Sequence, residues 1–235
     1  MRALFSPSLM CADILDLRGQ LSILNLRADF LHADIMDGHF CPNIALSPDM
    51  IRAVQQVSTI PIEAHLMTTA PNQWIPLLAD CCVRYISVHA ETIQSDAFRT
   101  LRRIEALGCG KGAALNPATP LDAACAYLDM LDLLTIMTVD PGYAGQKFIS
   151  QVLSKISRAR EEKEKHGYTY LIQVDGACNP ATFKLLRDAG AEVFVLGSSG
   201  LFLNDPDLNR AYDLMLARFE EAAGESAKEP RPPLA

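Results

Sequence analysis

Eight short apolar runs, each followed by a longer amphipathic stretch, fill almost the whole chain, and this alternation restricts the fold more than any other feature. The apolar runs fall at residues 4–9, 30–35, 62–67, 85–89, 112–115, 133–138, 170–175 and 193–196. They are nearly continuous in hydrophobicity rather than alternating, which marks strands covered on both faces. The intervening stretches, 15–26, 48–57, 72–81, 96–107, 121–128, 149–166, 180–189 and 207–222, have helical patterning. Several open on cap or first-turn residues, as at Ser47-Pro48 and Asn179-Pro180.

Such alternation builds a parallel sheet with crossover helices. Eight units in 235 residues, 49% of them hydrophobic, make an α/β fold closed into an eight-stranded parallel β/α (TIM) barrel the leading architecture, one domain over residues 1–222. An open doubly wound sheet is the alternative, but no GxGxxG follows the first strand. From residue 223 the chain turns to charge and proline (GESAKEPRPPLA) without apolar periodicity, and 223–235 is expected to be a mobile tail.

The net charge of −7 gives no general attraction to nucleic acid or anionic membranes, which favours a small-molecule ligand. The opening MRALFSPSLMCADILDL is broken by Pro7 and reaches Asp13 too early for a secretory signal. No apolar run approaches the roughly 20 residues that span a bilayer. The expectation is a soluble, cytoplasmic protein. Seven cysteines, at 11, 41, 81, 82, 109, 125 and 178, are odd in number and form no CxxC pair, so they read as reduced thiols, mostly small core residues.

A barrel of this type carries its active site at the C-terminal ends of its strands. The second strand ends in HADIMDG, placing His32 and Asp34 two residues apart and therefore on one side of an extended segment. The third carries His65 near its end (EAHLM), and the seventh ends in QVDG with Asp175 in the equivalent place. A lone strand histidine is more often a hydrogen-bonded core residue, and Asp before Gly is often a turn former. Two imidazoles and two carboxylates from three strand ends form instead a mixed nitrogen and oxygen set suited to one divalent ion, Zn²⁺, Mn²⁺, Co²⁺ or Fe²⁺.

Met36, Met67 and Met137 occupy matching strand-end positions, either as gap fillers or as a thioether lining that keeps water from a reactive anion. The sixth strand runs into DPGYAGQKF, where Gly142 and Gly145 let the backbone approach an anion and Gln146 is expected to open the next helix. The eighth runs into LGSSGLF, with Gly197, Ser198, Ser199 and Gly200 before a short helix; loops in these places hold phosphate in many barrels.

Taken in order, SPSLMCAD, HADIMDGHFCPN, EAHLM, MTVDPGYAGQKF, QVDGACN and LGSSGLF resemble the ribulose-phosphate 3-epimerase family over nearly the whole chain to about residue 220. Within it the likeness is greatest to the branch that interconverts D-allulose 6-phosphate and D-fructose 6-phosphate. The chain has SLMC, TVDPGYAGQ, DGACN and GSSGLF where the pentulose enzymes usually have SILSA, SVNPGFGGQ, DGGV and GSAIF. GSSGLF is one residue longer, which implies a changed pocket length or phosphate position.

The resemblance implies metal ligation by His32, Asp34, His65 and Asp175, proton transfer by Asp34 and Asp175, and substrate contact by Ser8 and His65. Substrate and phosphate loops are implied at Gly142, Tyr143, Ala144 and Gly145, at Gly176 with Ala177, and at Gly197 to Ser199. Ala177 stands where the pentulose enzymes have Gly. Family members commonly form dimers or hexamers, so a homo-oligomer is expected. The chemistry implied is inversion at C3 through an enediolate, one carboxylate removing a proton from one face while the other delivers one to the opposite face. D-ribulose 5-phosphate is the alternative substrate, and a sugar-phosphate-binding barrel without turnover the alternative class.

Overall fold

The computed structural model describes residues 2–224. The apolar runs form strands β1 (Leu4–Pro7), β2 (Leu31–Met36), β3 (Ile62–Met67), β4 (Tyr85–His89), β5 (Gly110–Leu115), β6 (Leu133–Met137), β7 (Leu171–Asp175) and β8 (Val193–Leu196). Between and after them lie helices α1 (Leu17–Arg27), α2 (Pro48–Gln55), α3 (Pro71–Ala79), α4 (Ala90–Ile93), α5 (Ala97–Ala106), α6 (Val152–His166), α7 (Phe183–Ala189) and α8 (Leu208–Ala223). Every ladder is parallel, in the order β1-β8-β7-β6-β5-β4-β3-β2. The remaining seam, between β1 and β2, is closed by a bridge from Ser8 to His32 and by the amides of Asp29 and Phe30, which donate to the Phe5 carbonyl at 3.0 and 3.3 Å. The result is an eight-stranded β/α barrel.

Alternate strand residues face opposite ways. One set, including Leu31, Ala33, Ile35, Ile62, Ala64 and Leu66, is fully buried in the main core. The helices cover this outer face. Phe219 on α8 meets Phe5, Phe194 and Phe183 at ring-centroid distances of 5.1, 5.1 and 5.2 Å, all edge-on.

The other set fills the barrel in layers. Leu4, Phe30, Leu133 and Val193, with Tyr85 and Leu171 against them, plug the N-terminal end. Above them Ser6, Glu63, Ser87, Thr135 and Gln173 form a buried polar layer, and the layer above that carries the strand-end residues of the site. β5 contributes almost no bulk: a Cβ at Gly112 would lie 2.1 Å from Ser87 Oγ, so only glycine leaves room for the β4 side chain.

Three expectations need correction. The stretch 121–128 is not an α-helix but two 3₁₀ segments, Leu121–Ala123 and Cys125–Met130. Its buried residues Leu121, Ala124 and Tyr127 recur every third position, and a 3₁₀ turn stacks that period on one side. Gln146 does not open α6; its side-chain amide donates to the Asp140 and Tyr143 carbonyls at 2.5 and 2.9 Å, closing the loop on itself. The segment expected to be helical from Pro180 becomes α7 only at Phe183. Before it, the Asn179 side chain accepts from the Ala181 amide at 3.0 Å and the Thr182 hydroxyl donates to the Ala177 carbonyl at 2.6 Å.

At the C-terminus α8 runs through Ala223 and stops at Gly224, whose φ of 69° suits glycine. Of the tail expected over 223–235, Ala223 and Gly224 instead finish and cap α8, and 225–235 lie outside the described residues. No helix among the described residues is long and apolar enough to cross a membrane. All seven cysteines are free.

Candidate metal and active site

β2, β3 and β7 bring His32, Asp34, His65 and Asp175 together, each offering one ligand atom, with those atoms all within 4.8 Å of one another. The register explains the convergence, because Asp34 lies directly beside His65 across the β2/β3 ladder. His32 Nε2 is 3.0 Å from Asp34 Oδ1 and 3.6 Å from Asp175 Oδ2. His65 Nδ1 is 3.2 and 3.6 Å from the same two oxygens. Ser8, held at the seam, donates its hydroxyl to Asp34 Oδ2 at 2.9 Å.

The floor is buried, and its electrostatics call for positive charge. Burial opposes protonation of His32, yet Asp34, Glu63 and Asp175 outweigh it and raise its pKa well above the ordinary value. Burial likewise works against charge on Asp34, and His32 and His65 overcome it, holding the carboxyl far below its usual range. Glu63, fully buried, is held near 2 against the desolvation penalty by His32. Two carboxylates and two imidazoles that concentrate negative potential on one point fit a divalent ion of the Zn²⁺, Mn²⁺, Co²⁺ or Fe²⁺ type.

Above this floor a single cavity is lined by Ser8, Asp34, Asp175, the three methionines Met36, Met67 and Met137, and the glycine-rich loops. The loop residues are Gly142, Tyr143, Ala144, Gly145, Gly176, Ala177, Gly197, Ser198 and Ser199. The sequence-selected residues therefore border this cavity, except His32 and His65, which lie beneath it, and Gly200, which is buried in the turn after β8.

Two loops meet at the mouth, where the Asn43 side-chain amide donates to the Gly142 carbonyl at 2.7 Å and the Tyr143 hydroxyl to the Pro42 carbonyl. At the β7 end Gly176 has φ 111°, and a Cβ there would come within 2.5 Å of Val139, so the chain passes only as glycine. Ala177 follows with φ 47°, a left-handed conformation that an L side chain strains to adopt. After β8, Ser198–Phe202 forms a wide π-type turn, with the Leu203 amide donating to the Ser198 carbonyl at 2.9 Å.

Sequence reasoning missed the residues behind the ligands. Glu63 accepts from His32 Nδ1 at 2.5 Å and from the Gln173 amide at 3.0 Å, and Gln173 also donates to Thr135 at 3.0 Å. His89 Nε2 lies 2.9 Å from His65 Nε2. The signal was present: Glu63 and Gln173 precede His65 and Asp175 by two, the same spacing that singled out His32 and Asp34.

A β/α barrel with a two-imidazole, two-carboxylate cluster that could hold a metal ion beneath a loop-rimmed cavity has the layout of a barrel enzyme, its site at the C-terminal ends of the strands. The sequence model of the ribulose-phosphate 3-epimerase family matches residues 4–202, and the chain belongs to that family. The ribulose-phosphate 3-epimerase of Bacillus subtilis (strain 168) is 39% identical over 196 residues, covering 83% of this chain and 90% of the relative. The chloroplastic ribulose-5-phosphate-3-epimerase of Arabidopsis thaliana is 38% identical, covering 83% and 70%. Among solved structures, a 3-hexulose-6-phosphate synthase superposes with a TM-score of 0.69 at 15% identity, over 92% of this chain and 99% of the other. A mutant tryptophan synthase alpha-subunit from Pyrococcus furiosus gives 0.66 at 14% identity, over 96% and 100%. These two share the fold alone.

Proposed function

We propose that the chain is a metal-dependent ketose-phosphate 3-epimerase with Asp34 and Asp175 as its acid/base pair, converting D-allulose 6-phosphate to D-fructose 6-phosphate and back. The observation that carries it is the approach of these two carboxylates, from β2 and β7, to the same two imidazole nitrogens on the floor of one cavity. A divalent ion bound by His32, Asp34, His65 and Asp175 would supply polarisation of the substrate carbonyl, which acidifies the neighbouring C–H.

The chain's own residues do the rest. Asp34, held ionised by the imidazoles and by the Ser8 hydroxyl, takes the C3 proton from one face. Asp175 delivers a proton to the opposite face, and the roles exchange in reverse. Met36, Met67 and Met137 present apolar thioethers to the reacting carbon and keep bulk water from quenching it. Gly176, Ala177 and the Gly197 to Ser199 turn line the cavity edge where the phosphate would sit, and their amides would be its donors.

The six-carbon sugar is supported by the loop beyond β8. A π-type turn takes up an added residue without breaking the hydrogen-bonding pattern, which fits the extra position in GSSGLF and moves the phosphate-side wall. The similar relatives named for ribulose phosphate favour the five-carbon sugar as a second reading.

The test is kcat/KM for both sugar phosphates on metal-stripped protein reloaded in turn with Zn²⁺, Mn²⁺, Co²⁺ and Fe²⁺. The account expects D-allulose 6-phosphate to be preferred at least tenfold. Preference for D-ribulose 5-phosphate replaces the sugar assignment, and turnover of neither with any ion leaves a binding barrel rather than an enzyme.

A further inference from the structure

Behind His65 a line of polar groups leads away from the cavity. His89, at the end of β4, is fully buried, and its Nε2 lies 2.9 Å from His65 Nε2. The ring centroids are 5.0 Å apart with planes 22° from parallel, so at that nitrogen separation the imidazoles meet end to end, nearly in plane. Phe40 covers the His89 ring with its centroid 4.4 Å away. The other nitrogen, His89 Nδ1, lies 3.3 Å from Glu91 Oε2, close but off hydrogen-bond alignment, and neither atom has any hydrogen-bond partner. Glu91 Oε1 accepts from the Asn116 amide at 2.9 Å and from the Thr119 hydroxyl.

With a cation bound, these contacts dictate where each hydrogen goes. His65 Nδ1 points at Asp34 and Asp175, and as a ligand atom it must be bare. The neutral ring then carries its hydrogen on Nε2 and donates to His89 Nε2. His89 accepts there, so its own hydrogen is on Nδ1, on the side of the Glu91 carboxylate. The other histidine is arranged the opposite way: with a cation bound, Glu63 takes the hydrogen of His32 Nδ1, which leaves Nε2 bare for the ion.

We propose that His89 and Glu91 are positioning residues that lock His65 in its Nε2–H tautomer and so present Nδ1 to a divalent cation, while Glu63 locks His32 in the opposite tautomer. The inference rests on the cation site proposed above. A hydrophobic side chain could fill the space of His89, but it would leave the buried His65 N–H without an acceptor. Partners of this kind set ligand orientation and basicity, and their loss typically weakens metal binding about 10–100-fold.

The experiment titrates the metal-stripped full chain with Co²⁺ and Zn²⁺ against a chromophoric chelator. His89→Phe is expected to weaken both ions about 10–100-fold, Glu91→Gln to weaken them less, and His89→Gln, whose amide oxygen can still accept from His65, to recover part of the loss. Two-bond ¹⁵N–¹H spectra of the Zn²⁺-loaded wild type are expected to place the hydrogens on His65 Nε2, His89 Nδ1 and His32 Nδ1. They decide the matter even if His89→Phe fails to fold. Unchanged affinity in both His89→Phe and Glu91→Gln, or a hydrogen on His65 Nδ1, overturns the proposal while leaving the cation site intact. Wild-type affinity in His65→Ala, or no binding by the wild type, removes the cation site itself and this inference with it.

Discussion

Ala177 sits at φ 47°, immediately after a glycine at 111°, in the loop that borders the cavity. Ala177→Gly should relieve the left-handed strain and, after the greater freedom it gives the unfolded chain, stabilise the protein by about 1 kcal/mol in urea unfolding. Glu91 offers a pH test. Burial works against its charge, but His89 and Thr119 lower its pKa from 4.5 to about 2. A depressed carboxyl stabilises the fold above its unfolded pKa and loses that contribution as pH falls through the folded one. The stability difference between wild type and Glu91→Gln, measured on metal-free protein, should therefore shrink as pH falls from 4.5 towards 2. At this scale the four ligand candidates were legible because each polar side chain interrupts an otherwise apolar strand, His65 and Asp175 toward the C-terminal ends of β3 and β7 and His32 on the same side of β2 as Asp34. His89 and Glu91 were not, because SVHAE resembles an ordinary strand end running into a helix, and only the distance to His65 distinguishes it.

Helix α8 closes the ring of helices with several buried side chains, among them Phe219, which touches aromatic rings on β1, β8 and α7. Phe219→Ala should cost about 3–5 kcal/mol, read as a shift of the urea midpoint, because the three surrounding rings cannot collapse into the void together. The strands were readable to within two residues at either end, and β3, β4 and β8 fall where the apolar runs do. Their burial on both faces leaves a continuous hydrophobic signature. The crossover between β5 and β6 was not readable as it folds, since Leu121, Ala124 and Tyr127 also suit one face of an α-helix and the choice is made by packing. Nor could the start of α7 be placed, because Asn179 and Thr182 spend their side chains on loop hydrogen bonds that compete with a helical first turn.

Over the whole molecule, the barrel's weakest closure and its site coincide. The β1/β2 seam has no full ladder, only the Ser8 to His32 bridge and the Asp29 and Phe30 amides on the Phe5 carbonyl, and the same Ser8 binds Asp34 across it. A cation gathering ligands from β2, β3 and β7 would tie three strands together, so chelation should lower the melting temperature as well as abolish turnover, and reloading should restore both. At a free ion concentration a thousandfold above Kd, the linkage amounts to roughly 4 kcal/mol. The central claim, that two carboxyl groups serve opposite faces of one carbon, is tested most directly in D₂O with metal-loaded Asp34→Asn and Asp175→Asn. The account predicts that the wild type makes epimer carrying deuterium at C3, and that both folded variants fail to epimerise. Rapid formation of labelled epimer by either variant would contradict it.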